Sequence, residues 1–192
     1  MPSAQRMPAR RVRGRFAWPQ LELFVAPAPA KSARWDFTRP WLASPHLARA
    51  RRELDLVRDH FPELEHVTVR VGLTKRRAVL GLASLGATPM IWIRPRRLHR
   101  FAIAHELTHL LQARGLVPGG EKTCDLFTLA RSADYVDVAP FYLKVPPRFH
   151  GGGAERPVTP DAAAALQVLA AEAVAGRSAR AAIHRFERRA RE

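Results

Sequence analysis

His105, Glu106 and His109 stand together in the run His-Glu-Leu-Thr-His. Residues four apart share one face of a helix, so both imidazoles can reach one metal ion. Glu106, one position after the first histidine, then flanks the metal's open side, where a carboxylate can take a proton from a water. A catalytic zinc site uses three protein ligands and keeps one position open, so a third ligand is required. Glu121 is best placed, after a short turn and at the start of the next predicted helix. His150 lies farther along, beside Gly151-Gly152-Gly153. Asp125 shares the face of Glu121 and is expected to accept a hydrogen bond from the far ring nitrogen of a ligand histidine. The inverse assignment, Asp125 as ligand and Glu121 as orienter, stays open. An oxyanion formed in acyl transfer needs a donor besides the metal. Tyr135, Tyr142, Arg131 and His150 are the candidates, and the sequence does not choose among them.

The bland alternative is a chance motif. Two histidines one turn apart on an apolar face are costly without a metal or partner, which favours the metal. Cys124, the single cysteine, reads as a small packing residue and excludes a disulfide framework or a Cys-rich zinc ribbon. His46, His60, His66, His99 and His184 read as surface or cap residues.

These residues need elements to position them. Ser44-Pro45 opens a predicted helix running to about His60, with Leu47, Leu54, Leu56, Val57 and Phe61 on its buried face. Clean alternation predicts a strand over 66–73, a turn at 74–77, a second strand over 78–83 and a third over 89–94. The third is a candidate edge for pairing with an extended substrate. A helix over 97–114 carries the motif and ends at Gly115, and a second helix runs from Glu121 to about Ala130. Gln20–Ala26 is a possible short strand, and 26–44, with Trp35, Phe37 and Trp41, is expected to be irregular. The organisation that follows is a disordered basic tail (1–18), a domain (19–149), a Gly/Pro linker (150–160) and a helical basic C-terminal tail (161–192).

At 192 residues and 47% hydrophobic content, the chain can build one core with tails. Its net charge is +15, and the ends hold +9 of it: five arginines and no acid in 1–20, six arginines against two glutamates in 177–192. Solvated tails explain that charge, and so does a nucleic-acid or acidic partner. No signal peptide and no membrane span are expected, which points to a cytoplasmic protein.

The Glu-x-x-x-Asp pattern after the motif is similar to the gluzincin type of zinc peptidase, whose third ligand is a glutamate with an acidic residue four on. Over about Val67 to Ala130 the chain resembles ImmA/IrrE-type peptidases more closely. Their second helix carries Glu, a small residue three on, Asn or Asp four on and Phe six on, here Glu121, Cys124, Asp125 and Phe127. Metzincins fit less well, because Gln112 and Gly115 stand where that motif needs Gly and His. The resemblance implies an α+β, zincin-like domain, with a small mostly antiparallel sheet packed on the motif helix and a second ligand-bearing helix. It implies zinc on His105, His109 and Glu121, and hydrolysis of peptide bonds of an intracellular protein with Glu106 as general base. The alternative is a nucleic-acid-associated regulator that uses the same scaffold with its basic tails.

Overall fold

The structure, a computed structural model, describes residues 34–74, 81–84, 88–175 and 178–192. The expected tail over 1–18, the strand Gln20–Ala26 and most of the turn after Thr74 lie outside them. The chain is α+β. Strand β1 (Trp35–Phe37) leads through α1 (Arg39–Leu42) and α2 (Leu47–Arg58) to β2 (Val69–Leu73). Strands β3 (Gly81–Ser84) and β4 (Met90–Ile93) follow, then α3 (Arg100–Ala113), α4 (Glu121–Arg131), α5 (Pro160–Val174) and α6 (Ala179–Arg189).

Two expectations about the sheet are corrected. Among the described residues its order is β1-β2-β4-β3, with β1–β2 and β2–β4 parallel and β3–β4 antiparallel. Strands consecutive in sequence are therefore not all neighbours: β3 lies outside, and β4 returns between it and β2. Gly72 shows what admits β4 there. A Cβ at Gly72 would sit 2.4 Å from Trp92 Cδ1 and 2.5 Å from Met90 Cε, so the missing side chain leaves room for both residues of β4. Hydrogen-bonded on both sides, β4 is not an edge strand. The segment around Trp35, expected to be irregular, is strand β1, with Trp35 opposite Val69 and Phe37 opposite Val71. Phe37 meets Trp41 edge-on at 6.4 Å.

Alternation assigns the faces as expected: Val69, Val71, Ile91 and Ile93 are buried, while Met90 and Trp92 are half-buried on the other face. On α2 the buried positions are Ala50, Leu54 and Val57, continued by Phe61; Leu56, two residues off that stripe, is 51% exposed. Arg58 is buried too. Its guanidinium donates to the carbonyls of Arg34 (2.9 Å), Leu64 and Val67, and lies 4.8 Å from the Trp35 ring centre. It fastens the starts of β1 and β2 to α2. Burial lowers its pKa, with the nearby Arg34 charge adding to that.

Helix α3 is central, and every residue from Phe101 to Thr108 is buried. Its first turn takes its cap from a distant residue: Arg100 N and Phe101 N donate to the Asp137 carboxylate at 2.9 and 3.1 Å. Its end is a Schellman turn. Gly115 N donates to Gln112 O and Leu116 N to Leu111 O, each at 3.0 Å, with Gly115 at the left-handed φ of +71° that glycine tolerates.

Residues 161–192, expected as a helical basic tail, are helical but pack into the same core. Ala163, Leu166 and Ala170 of α5 and Ala182, Phe186 and Ala190 of α6 are buried with Leu126 and Leu129 of α4. The 150–160 segment is tied down as well, with Gly151 N bonded to Pro157 O and Val158 N to Asp137 O. Among the described residues no helix is long and apolar enough to cross a membrane.

Candidate metal centre

Helix periodicity puts His105 and His109 on the face of α3 that meets α4. The turn at Gly115 reverses the chain and brings Glu121, the first residue of α4, onto the two rings. His105 Nε2 and His109 Nε2 are 3.1 Å apart, and Glu121 Oε2 lies 3.2 Å from each. These three atoms form a nearly equilateral triangle. Zinc bonds of about 2.0–2.1 Å at tetrahedral angles place ligand atoms about 3.3 Å apart, and the observed edges fit that spacing.

The other ring nitrogens fix the tautomers. His105 Nδ1 lies 2.9 Å from Asp125 Oδ1, and His109 Nδ1 lies 2.7 Å from Gln112 Oε1. Both partners accept, so each Nδ1 carries the proton and each Nε2 presents a lone pair. Two lone pairs and a carboxylate oxygen then converge without a donor. A cation relieves that repulsion, and so does a proton on one ring. Burial lowers the His105 pKa, but the hydrogen bond and charge of Asp125, with Glu106 and Glu121, outweigh it and raise the pKa overall.

Glu106 follows His105 on α3 and is buried with it. It is 5% exposed, and its Oε2 has no hydrogen-bond partner among the described residues. Burial, reinforced by the Glu121 charge and opposed by His105, pushes its pKa up to about 7. A cation with a bound water would give both the triangle and that oxygen a partner. Two imidazole nitrogens and a carboxylate oxygen are donors that a zinc ion can use, so the residues fit the group.

Asp125 is fully buried and serves two elements. Its Oδ1 faces His105, while its Oδ2 accepts from Tyr142 N at 2.5 Å and Leu143 N at 3.1 Å. The segment over 141–144 is thereby strapped across the histidine. The Tyr142 ring stacks on the His105 ring at 5.8 Å and 20°, and Phe141 meets it edge-on at 5.6 Å. Tyr142 is half-exposed, and burial together with the Glu121 and Asp125 charges raises its pKa, so the phenol keeps its proton.

The other donor candidates are committed elsewhere. Tyr135 is buried, donates to Thr128 O at 2.8 Å and packs on His60 and Phe61. Arg131 makes a two-point contact with Glu63. His150 Nδ1 lies 2.9 Å from its neighbour's carbonyl, Gly151 O. Cys124 Sγ falls with the two histidines in a group whose ligand atoms lie within 4.8 Å of one another. Its thiol donates to His105 O at 3.2 Å, and burial pushes its pKa up, which disfavours the thiolate that a metal requires. Glu121 Oε2, 3.2 Å from both Nε2 atoms, could hold an ion with them.

Sequence reasoning passed over Gln112 except as a mismatch to another motif. Its amide nitrogen donates to Pro118 O (2.8 Å) and Gly120 O (3.0 Å), so the residue that orients His109 also holds the turn that delivers Glu121. Thr108, hydrogen-bonded to Ala104 O and Thr128, completes the seam between α3 and α4. Compared with models of protein families, with curated proteins and with solved structures, the chain matches none.

Proposed function

We propose that the chain is a zinc-dependent peptidase with a zincin-like centre. His105, His109 and Glu121 hold the ion, and Glu106 is the general base. The observation that carries this reading is the buried Glu106 carboxylate next to His105 on α3, with an oxygen unpartnered among the described residues and a pKa raised to about 7. A base poised there accepts a proton near neutral pH and can return it to a leaving amine. A bound zinc ion supplies Lewis acidity toward a water and a carbonyl oxygen. Asp125 and Gln112 hold the two imidazoles in the ligating tautomer. Tyr142, protonated and half-exposed over His105, is the donor proposed for the developing oxyanion. The peptide is proposed to add along β3, which ends the sheet and lies against α3.

Turnover of a mixed peptide library by the zinc-loaded protein, wild type beside Glu106→Gln, tests the assignment. The wild type is expected to cleave, and Glu106→Gln to retain zinc while losing roughly 10²–10⁴-fold in rate. Equal turnover by the two proteins would remove Glu106 from the chemistry.

A second reading, a nucleic-acid-associated regulator on the same scaffold, is favoured by one observation. Arg180 and Arg188 on α6, and Arg191 just past its end, are exposed without an ion-pair partner among the described residues. It requires duplex binding that weakens steeply with salt and weakens further when these arginines become alanine.

A further inference from the structure

Two parts of the site, the first turn of α4 and the strap over His105, meet the same carboxylate on α6. Glu187 Oε1 accepts from Lys122 Nζ at 2.7 Å and from Lys144 N at 3.3 Å. Lys122 follows Glu121, and α4 begins without any side-chain cap. Lys144 stands two residues past Tyr142. Three successive backbone N–H groups of the strap, at 142, 143 and 144, are thus held by two carboxylates, Asp125 from α4 and Glu187 from α6. The Glu187 side chain is only 13% exposed. Its helix is anchored behind it by Ala182, Phe186 and Ala190, and Arg148 closes the helix end through Ala190 O (2.6 Å) and Arg191 O (3.3 Å).

We infer that Glu187 is a positioning residue for the metal centre, and that α6 is part of the active-site framework rather than an appendage. This rests on the metal reading above. Glu187 acts through others: it restrains the α4 turn that presents Glu121 and the strap that lays Tyr142 on His105. Loss of the carboxylate frees both at once, while a neutral amide still offers an oxygen to Lys144 N–H and Lys122.

Zinc affinity of the full chain, measured against a chromophoric chelator, is the test, with hydrogen exchange of the 141–144 amides in zinc-free protein as a second readout. Glu187→Ala is expected to bind zinc about 3–10-fold more weakly, less than the 10–100-fold typical of a group touching a ligand directly. It is also expected to exchange those amides faster. Glu187→Gln should stay within about twofold of wild type on both. Phe186→Leu, which loosens α6 without touching the carboxylate, should lower the melting temperature and leave zinc affinity unchanged. Wild-type affinity in Glu187→Ala, or equal weakening in Phe186→Leu, would overturn the inference while leaving the metal centre standing. A wild type that binds no zinc would overturn both.

Discussion

Each of the two histidines leans on one acceptor through its second ring nitrogen, His105 on Asp125 and His109 on Gln112. Removing an acceptor releases the ring and lowers its basicity. Asp125→Ala is therefore expected to weaken zinc binding by about 10–100-fold, and Gln112→Leu at the lower end of that range. Chelator competition reads both; unchanged affinity in Asp125→Ala would detach that carboxylate from the site. His105, Glu106, His109, Glu121 and Asp125 were legible in the sequence because i, i+4 spacing is a local property of a helix. Gln112 was not, since its amide acquires its role only when the turn carries the Pro118 and Gly120 carbonyls back to it. Tyr135 and Tyr142 were indistinguishable for the same reason. One is packed beneath α4 and the other lies over His105, and nothing local to either sequence position says so.

Elements hold these residues through contacts far apart in the chain. Asp137 caps α3 from 36–37 residues away, and its carboxyl lies below the usual range. Burial opposes that shift, but the hydrogen bonds from His99, Phe101 N and Arg100 N outweigh it. A carboxylate with a depressed folded pKa stabilises fully above its unfolded value of about 3.9, and that contribution fades as pH falls through the folded value. Asp137→Ala is expected to cost about 1 kcal/mol at neutral pH. The difference from wild type should shrink below about pH 4, as read by urea midpoints across pH. Arg58→Met takes the donor from the Val67 carbonyl and one of two donors from the carbonyls of Arg34 and Leu64, for an expected loss of about 1–3 kcal/mol. An unchanged urea midpoint in that variant would contradict the role given to Arg58. The α3 and α4 spans were readable from apolar periodicity, capping and Gly115. The neighbours of β4 were not, because pairing order depends on where Trp92 and Met90 find room, and Gly72 provides it.

At the scale of the molecule, α5 and α6 turn what composition presents as a charged end into a wall of the core. Arginine-rich composition hid this, since the buried Ala182 and Phe186 of α6 and Ala190 just past its end are interspersed with arginines. One consequence is that the candidate site draws on three helices. The rings and Glu106 come from α3, Glu121 and Asp125 from α4, and the strap is held by α4 and α6. Truncation before α6 is accordingly expected to impair folding as well as zinc binding. The proposed chemistry depends on the triangle of His105, His109 and Glu121. The direct measurement is metal content of purified, dialysed wild type beside His109→Ala, Glu121→Ala, Glu106→Gln and Cys124→Ser. Wild type, Glu106→Gln and Cys124→Ser should each retain about one zinc per chain, and His109→Ala and Glu121→Ala should lose it. Full zinc in Glu121→Ala, or its loss in Cys124→Ser alone, would contradict the ligand set proposed here.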